Sequence, residues 1–229
     1  MPSRDTIPRA FSTSVGTKII VGITGLALFL YLITHIAGNL MVFLGSTTFN
    51  SYSHTLISNP LIPIIEVGLL LIFLIHIFKT TRMFLSNQKA RPVRYARKER
   101  AGRPSRKTFA SSTMILSGLW LLVFVVIHVK QFKYGPEYLT EGTEIRDLYR
   151  LEMENFASPL LVTFYVLSML VVGSHLWHGV SSAFQSVGAE NSRWTPRLLV
   201  AGKVAAVAIA GGFIVIVLWA HFSQLGGRV

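Results

Sequence analysis

Five long apolar runs divide this chain: 18–44, 61–84, 109–131, 158–184 and 198–222. About 20 helical residues cross a hydrocarbon core of about 30 Å, and each run is long enough. A barrel would instead show short segments alternating in hydrophobicity. The pattern therefore predicts an all-α membrane protein of five transmembrane helices, residues 1–229 forming one domain. Composition agrees: 51% of residues are hydrophobic and 14% charged, where a soluble domain carries about a quarter charged.

Charge sets the expected orientation. Eleven of the 22 basic residues fall in one connection, 79–108, from Lys79 and Arg82 to Arg106 and Lys107. The connection 45–60 has none, and 130–157 is rich in acids. Arg4, Arg9 and Lys18 precede the first run, and Arg193, Arg197 and Lys203 lie around the start of the fifth. Basic and basic-poor segments alternate, which places the N-terminus inside and the C-terminus outside. The first run exceeds a signal-peptide core and lacks a small-residue cleavage site, so it is expected to be retained. The net charge of +12 thus reads as topology and lipid contact, and not as a nucleic-acid footprint.

There is no cysteine, which excludes disulfides, thiolate metal sites, covalent c-type haem and iron–sulfur ligation by this chain. A metal would rest on histidine or carboxylate. The first four runs each carry histidine: His35, His76, His128, and His175 with His178. Counted from the basic inner boundary, His35 and His128 lie about 25–32 Å along their helices, near the outer face. Counted from Pro63 and Pro159, His76 and His175 lie about 20–24 Å from the outer boundary, in the inner half. Ionisable groups inside a membrane are functional candidates. Two cross-helix pairs follow, His35 with His128 outside and His76 with His175 or His178 inside. Zinc wants four ligands. Paired imidazoles suit a six-coordinate haem iron, and two pairs suit two haems, held by a bundle of the first four helices.

Gly25 and Gly118 each precede an outer histidine by ten residues and so sit at inner depth. They point about 80° away from that histidine, as clearance or as packing glycines. Gly38 and Asn39 share the face of His35, for ring clearance and polar support or as interhelical glue. Glu66 is the one carboxylate well inside an apolar run. It is a candidate for proton transfer near the outer pair, against a plain helix-start glutamate pointing to water or a neighbour's donor. Arg82 and Lys130 are candidates for the inner and outer haem propionates, against simple interfacial cations. His54 and His221 are expected at the interface, and 201-AGKVAAVAIAGG-212 reads as a packing helix.

The stretches 14-SVGTKIIVGITGLALFLYLITHIAGNLMVF-43, 90-ARPVRYARKERAGRPSRKTFASSTMILSGL-119 and 175-HLWHGVSSAFQSVG-188 resemble the two-haem cytochrome b subunit of succinate:quinone oxidoreductases and quinol:fumarate reductases. The resemblance covers most of the chain. It implies two haem b groups, with axial ligands on helices 1 to 4. In that family the helix 4 ligand lies thirteen residues before a glycine just past the helix; Gly188 then points to His175, with His178 serving the haem edge. Val187 stands where the family has tryptophan. Gly173 stands where some members carry a proton-transferring glutamate, so that route is not expected here. The resemblance further implies a bacterial plasma membrane, a flavoprotein (FAD) subunit and an iron–sulfur subunit on its cytoplasmic face, and menaquinone or another quinone as electron partner. Two rivals remain: another bis-histidine cytochrome b, or a haem-free anchor or transporter relaying protons through histidines.

Overall fold

The computed structural model describes residues 13–90, 109–189 and 191–226. It is almost entirely helical (83%), and among the described residues extended pairing is limited to one isolated bridge, Leu139 with Arg146. The helices are α1 (Ser14–Asn39), α2 (Ser46–Ile57), α3 (Ile62–Lys89), α4 (Phe109–Ser112), α5 (Met114–Phe132), α6 (Leu148–Phe156), α7 (Pro159–Ser186) and α8 (Thr195–Leu225), with a 3-10 helix, Leu40–Leu44, after α1. Five of them are long and apolar enough to cross a membrane: α1 with its 3-10 extension, α3, α5, α7 and α8. The remaining calls on the basic connection, residues 91–108, lie outside the described residues, as do Arg4 and Arg9.

Local chemistry sets the ends. Thr13 caps α1, its hydroxyl accepting from the Gly16 amide at 3.0 Å. Pro63, Pro159 and Pro196 occupy first-turn positions of α3, α7 and α8, where a missing N–H costs nothing. After α7, Gly188 adopts φ 80°. Its amide donates to the Gln185 carbonyl and that of Ala189 to Phe184, a Schellman ending that favours glycine.

The four histidine-bearing spans form a ring in which α1 packs on α3 and α7, α7 on α5, and α3 more sparingly on α5. In that ring α1 and α5 face each other across one diagonal, α3 and α7 across the other. The fifth span, α8, lies outside against α7 and α1. Small residues bring α7 and α8 together: Gly173 faces Ala210, Gly202 faces Val180, and Ala206 is fully buried. The other rim of the ring is apolar and open. Not one residue of α3 is buried, and Ile64, Val67, Leu70, Leu71, Leu74 and Phe78 are exposed, a surface suited to lipid and not to water.

Two connections read from sequence as loops carry helices. At the end of the bundle near His35, α2 and α6 pack together. Buried Asn50 donates to the Asp147 carboxylate at 2.8 Å and accepts from the Tyr149 amide at 2.9 Å. Asp147 in turn caps α6. His221 of α8 donates from Nδ1 to the Phe156 carbonyl at 2.7 Å, so this histidine ties down α6 at the bundle end.

Candidate functional site

The histidines stand in two tiers. In the first, His35 of α1 and His128 of α5 face each other across their diagonal, ring centroids 5.9 Å apart and planes at 88°. Two imidazoles bound to one iron at about 2 Å each have centroids about 6 Å apart, so this separation fits shared ligation. Aromatic rings enclose the pair. Tyr31 stacks on His35 at 5.3 Å, Phe124 on His128 at 5.6 Å, and Phe213 of α8 approaches His35 at 5.6 Å. Tyr165 stands 3.5 Å from the Nδ1 of His128 while donating to the Gln131 side chain.

The second tier holds His76 of α3 and His175 of α7, on the other diagonal and close enough to interact electrostatically. Each ring leans on a hydroxyl–glycine pair of a neighbouring helix. His76 Nδ1 lies 3.0 Å from the hydroxyl of Thr24, and a Cβ on Gly25 would stand 3.2 Å from its Cε1. His175 Nδ1 lies 2.9 Å from the hydroxyl of Ser117, and a Cβ on Gly118 would stand 3.8 Å from its Cε1. The arrangement repeats in register: Thr24 is eleven residues before His35, and Ser117 eleven before His128. Eleven residues separate the tiers by about 16 Å along the axis. Gly25 therefore makes room for the His76 imidazole, while Gly118 lies at ordinary contact distance from that of His175.

Among the described residues no three metal-ligating side chains converge, so those residues offer imidazole pairs and not a protein-only tetrahedral site. His178, one turn beyond His175, is half-buried and feels its charge. Arg82 follows His76 and Lys130 follows His128, both exposed. Gly38 makes room for Tyr52, whose hydroxyl would stand 3.0 Å from a Cβ there, and Asn39 donates to the backbone carbonyl of His35 at 2.8 Å. Neither touches the His35 ring through these contacts. His54 lies exposed on α2.

Of the two readings of Glu66, the structure has the helix-start glutamate: it is 47% exposed in the first turns of α3 and pairs with Lys133 just past α5. It still interacts electrostatically with Tyr31, which stacks on His35. The buried carboxyl is Glu152 of α6, 4% exposed. Leu148, Glu152 and Phe156 share one helical face, and that face turns inward beneath Tyr149 and Tyr165, both of which feel the Glu152 charge. The i, i+4 pattern in 147-DLYRLEMENF-156 carried this signal.

Burial pushes Glu152 up to about 8 from 4.5. A carboxyl with a raised folded-state value stabilises the fold fully below its unfolded value, and that contribution is lost as pH rises through the folded one. The detergent-solubilised protein should therefore lose stability between pH 4.5 and about 8, by at most about 1.4 kcal/mol per pH unit. Glu152→Gln should flatten that part of the thermal-stability profile. Superimposable profiles for variant and wild type would refute the assignment.

Comparison with known protein families, curated proteins and solved structures found no match to this chain.

Proposed function

We propose that the chain is the di-haem cytochrome b membrane-anchor subunit of a succinate:quinone oxidoreductase, carrying electrons between an iron–sulfur partner and a membrane quinone. The observation that carries this reading is the diagonal pairing of imidazoles from four consecutive spans, at two depths. His35 and His128 would hold an outer haem, and His76 and His175 an inner one. Such groups supply one-electron carriers, and stacking two of them across the bundle gives an electron path through the membrane.

The protein's own contributions follow from its side chains. Aromatic rings around His35 and His128 keep that tier dry and apolar. Tyr31, Glu66 and Lys133 form a proton-exchanging group beside it, suited to the proton demand of quinone chemistry such as that of menaquinone. Arg82 and Lys130 lie where propionates of the inner and outer groups would leave the apolar region, and His178 lies at the inner group's edge. The basic connection 79–108 offers a docking surface for the iron–sulfur and flavoprotein subunits, which carry the dicarboxylate chemistry, on the cytoplasmic face of a bacterial plasma membrane.

The test is a reduced-minus-oxidised spectrum of the purified protein with haem quantitation and identification of co-purifying subunits. Two b-type haems per chain and an attached flavoprotein are expected. A preparation with no b-type α-band would sink the reading in favour of a haem-free anchor or transporter.

A further inference from the structure

Each second-tier ring meets a hydroxyl that also has a carbonyl of its own helix within hydrogen-bond distance. The Thr24 hydroxyl donates to the Ile20 carbonyl at 2.8 Å, and the Ser117 hydroxyl donates to the Met114 carbonyl at 3.0 Å. A hydroxyl has one proton. With the hydroxyls donating to their own helix, as serine and threonine inside helices commonly do, these oxygens act as acceptors toward His76 and His175, and each imidazole then carries its proton on Nδ1. That leaves both Nε2 lone pairs free for a shared ligand. Gly25 gives the His76 ring clearance: a Cβ there would press on His76 Cε1 from 3.2 Å.

The same device occurs on two separate helices, at the same register from the first-tier histidine. The first tier lacks it at His128. There the Tyr165 hydroxyl stands at 3.5 Å and gives its proton to Gln131, so no hydrogen bond of comparable length fixes that ring.

We propose that Thr24 and Ser117 are positioning residues that fix the tautomer and plane of His76 and His175, and through them tune the reduction potential of the inner haem; this rests on the di-haem reading above. An Nδ1–H that donates to an oxygen makes Nε2 a stronger donor to the metal. Stronger donation favours ferric over ferrous iron, so removing either acceptor raises the midpoint potential of that haem.

The experiment is a potentiometric titration followed by optical and low-temperature EPR spectroscopy of the full-length protein with its co-purifying subunits. Thr24→Val and Ser117→Ala should each raise the midpoint of one haem and move its low-spin ferric signal, the other haem keeping both. Thr24→Ser should match wild type. If Thr24→Val loses the inner haem, retention in Thr24→Ser supports the hydroxyl's role, and loss in both overturns it. Two retained haems with unmoved midpoints and signals in Thr24→Val and Ser117→Ala would overturn the inference alone. A wild-type protein without b-type haem would overturn it together with the reading it rests on.

Discussion

His76→Ala and His175→Ala should each leave a protein with a single haem, its reduced α-band falling by about half. The surviving signal should be the same in both variants, because both remove ligands of one tier. His35→Ala and His128→Ala should spare the other signal. This expectation rests on geometry: His35 and His128 share one diagonal, while His76 and His175 lean on Thr24 and Ser117, a whole tier away. His178→Ala should keep both haems, since His175 alone of the helix 4 pair is anchored to Ser117. Loss of a haem with His178→Ala but not with His175→Ala would transfer the ligand role to His178. Two undiminished haems in His76→Ala would remove the basis for pairing across α3 and α7.

Gly22→Leu should be the most damaging change away from the histidines. A Cβ at Gly22 would stand 3.0 Å from Ser186 Cβ, 3.1 Å from the Ala183 carbonyl oxygen and 3.3 Å from Val187 Cγ1. One of those atoms is backbone, and it cannot swing aside. Even Gly22→Ala forces α1 from α7 by tenths of an ångström, at about 1–3 kcal/mol for an overpacked contact. A leucine drives the helices apart along the side of the ring that both diagonals depend on. Gly68→Ala is the control: nothing lies within 4 Å of a Cβ there, and the helical alanine should be neutral or stabilising by about 0.5–1 kcal/mol. Thermal unfolding in detergent reads both. A Gly22→Ala protein that unfolds with wild type would show that α1 and α7 do not meet at this point.

The five spans were legible because a helix rises by a fixed step and a membrane has a fixed thickness. The same arithmetic put His35 level with His128 and His76 level with His175. It missed what depends on azimuth between packed helices. Gly25 and Gly118 stay open between clearance and packing in the sequence because they point about 80° from the histidine on their own helix. That offset is what their role requires: His35 faces the diagonal helix α5, while Gly25 faces its ring neighbour α3, where His76 lies. Thr24 and Ser117 were unremarked for a related reason. A hydroxyl inside an apolar helix satisfies itself on the carbonyl three or four residues back, as both do, and nothing local shows that it also accepts from a neighbour. Glu66 stays open between two readings in the sequence because an apolar run does not tell where helix packing ends; Lys133, beyond the next span, reaches it. Glu152 was passed over because its segment reads as an acidic connection until the helix α6 is recognised.

The two tiers are built from the same two helices. Residues of α1 supply His35 to one tier and Thr24 with Gly25 to the other; α5 supplies His128 to one and Ser117 with Gly118 to the other. Occupying either tier therefore fixes the rotation and height of both helices, and with them half the walls of the second. The loading free energies of the two sites are then linked, and the linkage is reciprocal. Incorporation should run as a cooperative step in which the first group lowers the ordering cost of the second. A chain that loses one group should keep the other more loosely, in a less stable bundle, since a ligand that binds only the folded form adds its binding free energy to the fold.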